Sequence, residues 1–516
     1  MDVMLRKFIL AGAAMFLAAG MYAQNAYDAL RFSEQFAEGT ARSVAMGNAF
    51  VALGGDMGGI TINPASSAVY RYSEFMFTPT VTVAGAESDY LGFSSSANKT
   101  RAGVANFGYV GSYSTGQSSG LVSWSVGLLL NKQNNFTGAN KVYGQTNATS
   151  WLASLAYNTD GIYAPNMDFT DQNDPFYSSN ASWNSILAWN ASLLDTIPGT
   201  SNLYYAATEN IDGNEIKVGG ELAQRFNAES VGNITEAVIN WGGNFSDRLF
   251  VGVNIGIQSI MYKYEEMMQE EALNSADFHS GFNYFSYGYR YKATGTGINL
   301  KAGLIYLPVN WLRLGASIST PTWMYLSEEW ENGVNSEFSD GYSKKIISPL
   351  GTYNYRLNTP FRWNVGAAVM LGSRGVISAD YESVDYSKAK LRDADYEFGY
   401  DVENSDIRRL FVKQDIFRVG AEINVNSAFA VRAGYQHYSS PYAGSSSEGK
   451  RNIGSIGAGY VWPCGASDLF VDLTYQQLLS GTEQMYSLYG DTTIPSPVGV
   501  DKMKGWKLLL SVGFRF

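Results

Sequence analysis

The sequence predicts an all-β fold, a transmembrane antiparallel β-barrel of about 14 strands, from three observations. Charged residues make up 16% of the 516-residue chain, which holds 54 Gly and 35 Tyr; soluble domains usually carry roughly 25% charge. Stretch after stretch alternates apolar and polar side chains with period two, as a sheet with one greasy face requires. The connections alternate between tight turns and long loops, the barrel arrangement, which a soluble sandwich has no reason to adopt. No apolar run reaches the roughly 20 residues of a spanning helix, and lipid admits only helices and closed barrels.

In chain order, residues 1–23 carry Arg6 and Lys7, an apolar run from Phe8 to Ala19 and small residues up to Ala23. This is the pattern of a secretory signal peptide. Residues 24–40 are polar and weakly patterned. From Ala41 to Ala65 the chain is crowded with Ala and Gly, which let backbone pack on backbone, and ends in the turn-forming pair Asn63-Pro64. On residue chemistry alone, a Gly-rich connector and a compact plug both fit this segment.

The run Met46-Gly47-Asn48-Ala49-Phe50-Val51-Ala52, followed by Asp56 and Asn63-Pro64-Ala65, resembles the N-terminal signature of the FadL/TodX outer-membrane transport family. The resemblance covers about a tenth of the chain at this level, and Ser66 departs from the Gly found there in many relatives. It implies that residues 24–74 form a hatch inside the lumen of a barrel spanning 75–516, with Gly47, Asn48, Asp56, Asn63, Pro64 and Ala65 in the hatch and its gating. It also implies a passive channel for hydrophobic small molecules, most plausibly long-chain fatty acids, in the outer membrane of a Gram-negative bacterium. A FadL-like surface shuttle binding a protein or polysaccharide is the alternative, and an outer-membrane lipid hydrolase a remote one.

Strand candidates lie near 75–84, 102–111, 121–130, 233–244, 248–262, 285–307, 311–326, 355–371, 375–386, 413–425, 428–440, 451–462, 468–479 and 505–516. In the first, Phe75, Phe77, Val81 and Val83 alternate with Thr78, Thr80 and Thr82. In the last, Trp506, Leu508, Leu510, Val512, Phe514 and Phe516 share one face, with Lys507, Ser511, Gly513 and Arg515 on the other. Trp506, Phe514 and the terminal Phe516 resemble the signal that barrel assembly machinery reads. Trp241, Trp311, Trp363 and Trp462 fall near strand ends, where an aromatic girdle meets the headgroups of outer-membrane lipid. The opposite faces carry Arg248, Asn254, Lys301, Arg313, Arg362, Asp380, Glu382, Arg418, Glu422, Arg432, Asp472 and Arg515. Charges this costly in hydrocarbon must face the lumen.

Tight turns at 245–247, 308–310, 372–374 and 424–427 alternate with long loops at 131–232, 263–284, 327–354, 387–412 and 480–504. The longest holds Trp151, Trp183, Trp189, Tyr163, Phe176, Tyr177, Tyr204 and Tyr205, with a short helix expected over Asn180 to Leu194. Its aromatics either pack the loop or form a groove that captures solute. Asp160, Asp168, Asp171 and Asp174 miss the EF-hand spacing, so no metal is expected.

Enzyme chemistry finds little support. Of two histidines, His437 shares a strand face with Ser439, the histidine-any-serine spacing of an outer-membrane phospholipase, but no third orienting group is identifiable. His279 and His437 make no ligand set with the single Cys464, and haem ligation is equally weak. No cofactor is expected, and a net charge of -11 argues against nucleic acid.

Overall fold

The computed structural model describes residues 26–516 apart from 172, 214, 396–398, 446, 481–482, 490–493 and 495. The leader assigned to residues 1–23 lies outside the described residues.

Among the described residues, twenty strand segments join in one antiparallel sheet that closes on itself. The first strand, Glu74–Tyr90, pairs on one side with Phe93–Ser114 and on the other with the last, Val498–Arg515. Between them the ring runs through Leu121–Asn135 (third), Leu222–Phe245 (fourth), Leu249–Ala272 (fifth) and Phe282–Val309 (sixth). The seventh is split into Leu312–Ser319 and Trp323–Phe338, and the eighth into Gly351–Asn358 and Arg362–Met370. Gly375–Asp385, Lys413–Asn424, Phe429–Tyr438, Arg451–Cys464 and Ser467–Ser480 are the ninth to thirteenth. The result is a closed fourteen-stranded barrel, and closure leaves no unpaired edge.

Period-two patterning sets which face each residue takes. Leu508, Leu510, Val512, Phe514 and Phe516 are all 38–53% exposed on the outside, as are Val253, Ile255 and Ile257 of the fifth strand at 44–50%. Trp241, Trp311, Trp363 and Trp462 are exposed too. The tight turn after the fourth strand holds Ser246 and Asp247 at φ of 55°, the left-handed pair that matches hairpin twist.

The strands are longer than the alternation indicated. The fourth and fifth have 24 residues and the sixth 28, against the roughly 9–11 needed to cross a bilayer. Beyond the apolar belt the ladder continues while the outward residues become charged, as in the Lys292–Glu329 pair at 3.0 Å. Much of what reads as polar loop at 263–284 and 327–354 is therefore sheet. The long 131–232 connection is shortened in the same way, because Gly138–Thr146 pairs with the fourth strand. The expected helix in it spans Trp183–Asn190, capped by Ser182, and Leu194 belongs to a short strand beyond it.

The N-terminal segment folds inside this ring. It comprises the helices Ala26–Ser33, Ala41–Ala45 and Met57–Ile62 and a 3-10 turn at Pro64–Val69. Its backbone meets side chains from strands around the ring. Asn254 donates to Ile60 O (2.8 Å), Ser317 to Ile62 O (2.8 Å), Ser455 to Ala45 O (3.1 Å) and Thr474 to Ala41 O (2.6 Å). Ala41 N in turn donates to Ser511 Oγ at 2.8 Å.

Candidate functional site

The segment's folding is local chemistry first. Thr40 caps the Ala41–Ala45 helix in a reciprocal capping box with Ser43, and Asp56 caps the Met57–Ile62 helix by accepting from Gly58 N at 2.9 Å. Thr40 Oγ1 also donates to Asp56 at 2.8 Å, tying the two caps together. Gly47 and Asn48 both sit in the left-handed region, at φ of 62° and 56°, and Asn48 Nδ2 donates to Ala37 O at 2.9 Å. Asn63 does more than cap a turn. Its Oδ1 accepts from Ala65 N (3.0 Å), while its Nδ2 reaches Val51 O (2.6 Å) and Leu304 O of the sixth strand (3.1 Å). Pro64 O accepts from Asn240 at 3.1 Å, and Ala65 is fully buried. All six sequence-chosen hatch residues thus lie in one segment that packs backbone against the wall.

Glycines on the wall make that approach possible. A Cβ on Gly303 would collide with Asn63, one on Gly315 with Val51, one on Gly420 with Met46 and one on Gly434 with Gly47. No larger residue fits at these four inward positions. The sequence reading missed them, although the signal was present as glycine at inward parity in four different strands.

Buried ion pairs fix the rest. Glu422 lies between Arg42 (2.8 Å) and Arg432 (2.6 Å), with Asp472 on the far side of Arg432. Glu382 lies between Arg362 (2.8 Å) and Arg418 (2.7 Å). Glu236 accepts from Lys301 (2.8 Å), Gln133 (2.7 Å) and Asn299 (2.7 Å), and Lys301 also reaches Thr61 O at 3.2 Å. Glu38, inside the segment, takes Lys132 (2.8 Å) and Lys507 (2.9 Å). Asp380 accepts from Val51 N at 2.8 Å, and Arg313 donates to Leu53 O. The expected lumenal charges are inward with the exception of Arg248, which is exposed at a turn and donates to Leu307 O. Strand parity carries no information about Arg42 and Glu38, because they belong to no strand.

Above the segment lies a cavity of about 440 Å³. Leu30, Phe36 and Ala37 of the N-terminal segment line it, together with Tyr262, Tyr438, Ile453 and Leu478 from the wall. Arg451 lies over the Phe36 ring, 4.1 Å from its centroid. Asn134, Gln436 and Gln476 add amides, so the lining is mixed, not uniformly apolar.

The outer end is closed by the long connection. Trp151, Phe176 and Tyr204 are buried, and Trp151 stacks on Phe285 (5.6 Å) and lies tilted against Tyr287 (5.1 Å) of the sixth strand. Most of the loop's aromatics therefore pack the cap, while Tyr163 and Tyr177 remain exposed. In this outer part burial pushes the Glu266 carboxyl up to about 7, with the Tyr264 hydroxyl donating to it at 2.7 Å.

The remaining candidates are separated. His437 bonds Asn452 at 2.8 Å and neighbours outward Phe417, whereas Ser439 Oγ accepts from Asp415 N at 2.9 Å. Asp160 accepts from Tyr204 N, Asp168 from Trp189 and Asp174 from Phe176 N, each a loop-fixing bond. Among the described residues no group of three His, Cys, Asp or Glu side chains is placed to hold a metal.

The closed antiparallel barrel is shared with solved structures. The fold is that of the FadL and TodX channels. A Pseudomonas aeruginosa FadL homologue is similar over 93% of this chain and 98% of its own, with 13% identity and a TM-score of 0.52. The Pseudomonas putida toluene transporter TodX is similar over 94% and 99%, with 13% identity and a TM-score of 0.51. No family model matches the sequence, and no curated protein matches it. At this identity the likeness to FadL and TodX is one of fold.

Proposed function

We propose that the chain is a passive outer-membrane channel that imports hydrophobic small molecules, with the N-terminal segment as its hatch. The observation that carries this reading is the cavity lined jointly by Leu30 and Phe36 of that segment and by wall residues such as Tyr262 and Ile453. An apolar solute leaving water for such a cavity gains about 0.8 kcal/mol per buried methylene, so import needs binding and not catalysis. Below the cavity, Asn63 and Asp56 hold the segment across the lumen, and passage requires part of it to shift. Trp506, Phe514 and Phe516 direct assembly into the membrane, and a cleaved leader directs export. Long-chain fatty acids are the first substrate to test.

Uptake of labelled oleate and of labelled toluene, by cells with and without the gene, tests the reading. Faster uptake of either supports a hydrophobic-compound channel and names its class; unchanged uptake of both contradicts it. Exposed Tyr163 and Tyr177 on the cap favour a second reading, a surface receptor for a protein or polysaccharide. A stoichiometric protein partner retained on purification from native membrane would favour that reading.

A further inference from the structure

On the outer face of the barrel, Arg356 of the eighth strand and Arg392, in the segment Lys390–Asp393 paired to it, stand directly opposite each other. Tyr325 is the next residue along the same rung, and the rung beneath runs Ile257, Ile298, Trp323, Asn358 and Lys390, its first three apolar. The four apolar residues are all 47–49% exposed and line an outward groove with both arginines. Like charges directly opposite on neighbouring strands repel. Yet among the described residues neither arginine has a carboxylate within 4.0 Å. Arg356 donates to Ala394 O, while Arg392 Nε is buried with no hydrogen-bond partner.

We propose that this groove binds a phosphorylated lipid of the outer leaflet, its phosphate between the two guanidinium groups and an acyl chain along Ile257, Ile298 and Trp323. The inference rests on the outer-membrane reading above. Height supports it. Two residues along a strand span about 7 Å, so the arginines stand one step above the level of Ile257, Ile298 and Trp323 on the neighbouring strands, where headgroups begin. A lone arginine there would simply extend into water. A facing pair of like charges with no carboxylate beside it among the described residues instead calls for an anion, and guanidinium forks take phosphate bidentately. The apolar floor commits the site to a lipid phosphate over free phosphate.

Native mass spectrometry of the detergent-extracted protein tests this, with bisphosphorylated lipid A and its dephosphorylated form as probes. Folding is verified by heat-modifiable mobility and vesicle insertion. The expected result is retention of the phosphorylated lipid by wild type, a loss of at least about tenfold in affinity in R356Q/R392Q, a partial loss in the charge-preserving R356K/R392K, and no displacement by excess inorganic phosphate. Equal retention by wild type and the glutamine variant would overturn the proposal. So would equal retention of the dephosphorylated lipid, or full displacement by inorganic phosphate. The lysine variant carries the test if the glutamine variant does not fold. Failure of wild type to insert would instead refute the membrane reading.

Discussion

The two halves of the lumen are filled in opposite ways. In the lower half the N-terminal segment meets the wall through backbone contact at glycines and through buried ion pairs, as at Gly315 with Val51 and Glu422 with Arg42. In the upper half the cap meets the same strands through aromatic rings, with Trp151 on Phe285 and Trp183 against Trp330. Hydrogen bonds and charges have one satisfying geometry, whereas apolar packing tolerates substitution of similar volume. The lower half therefore specifies one arrangement, and the upper half mainly excludes water.

The largest effect is expected from Gly303→Leu. Its side chain would occupy the space of Asn63, so the segment cannot dock while the ladder stays intact. Limited proteolysis of the folded protein should then cut between residues 41 and 65, where wild type is protected; equal protection would show that the glycine contact is dispensable. Lys301→Met comes next, because it leaves Glu236 buried and uncompensated at a cost of about 3–5 kcal/mol. The same proteolysis assay in increasing urea should show release of the segment well before the barrel opens.

The upper half should respond to pH. Glu266 has a folded-state value raised from 4.5 to about 7, so its protonated form is the one the fold prefers. Stability of the outer region is full below pH 4.5 and falls as pH rises to 7, by about 3 kcal/mol at one unit per 1.36 kcal/mol. Glu266→Gln should flatten that dependence in hydrogen exchange of the 262–272 strand; an unchanged profile would remove Glu266 as its source. The smallest effect is expected for Trp151→Phe, which keeps an aromatic in the cap. It should lower stability by less than about 1.5 kcal/mol if apolar bulk suffices, and a larger loss would show that the cap is as specific as the plug.

The strand count and the facing of each strand were legible because lipid imposes a strict alternation. Trp506 to Phe516 show it residue by residue. Strand length was not, since beyond the belt Lys263 and Glu265 continue the sheet with the composition of a loop. The signature residues were legible as a group, but their partners were not. Glu236 and Gln133 meet Lys301 from other strands, and such contacts follow from barrel register, which one sequence does not encode locally. The cap's aromatics divided between packing and exposure for the same reason, as Trp151 and Tyr177 look alike until the sixth strand is placed.

On the proposed reading, the segment around Asn63 and Pro64 closes the lumen as a unit separable from the barrel. The most direct test is the permeability of liposomes carrying the protein to a small polar solute, with Asn63→Ala/Pro64→Ala compared to wild type. The double variant loses the bonds to Val51 O and Leu304 O and the fixed φ of proline. It should leak while its heat-modifiable mobility stays that of wild type. A double variant as tight as wild type, with the barrel equally intact, would contradict the account.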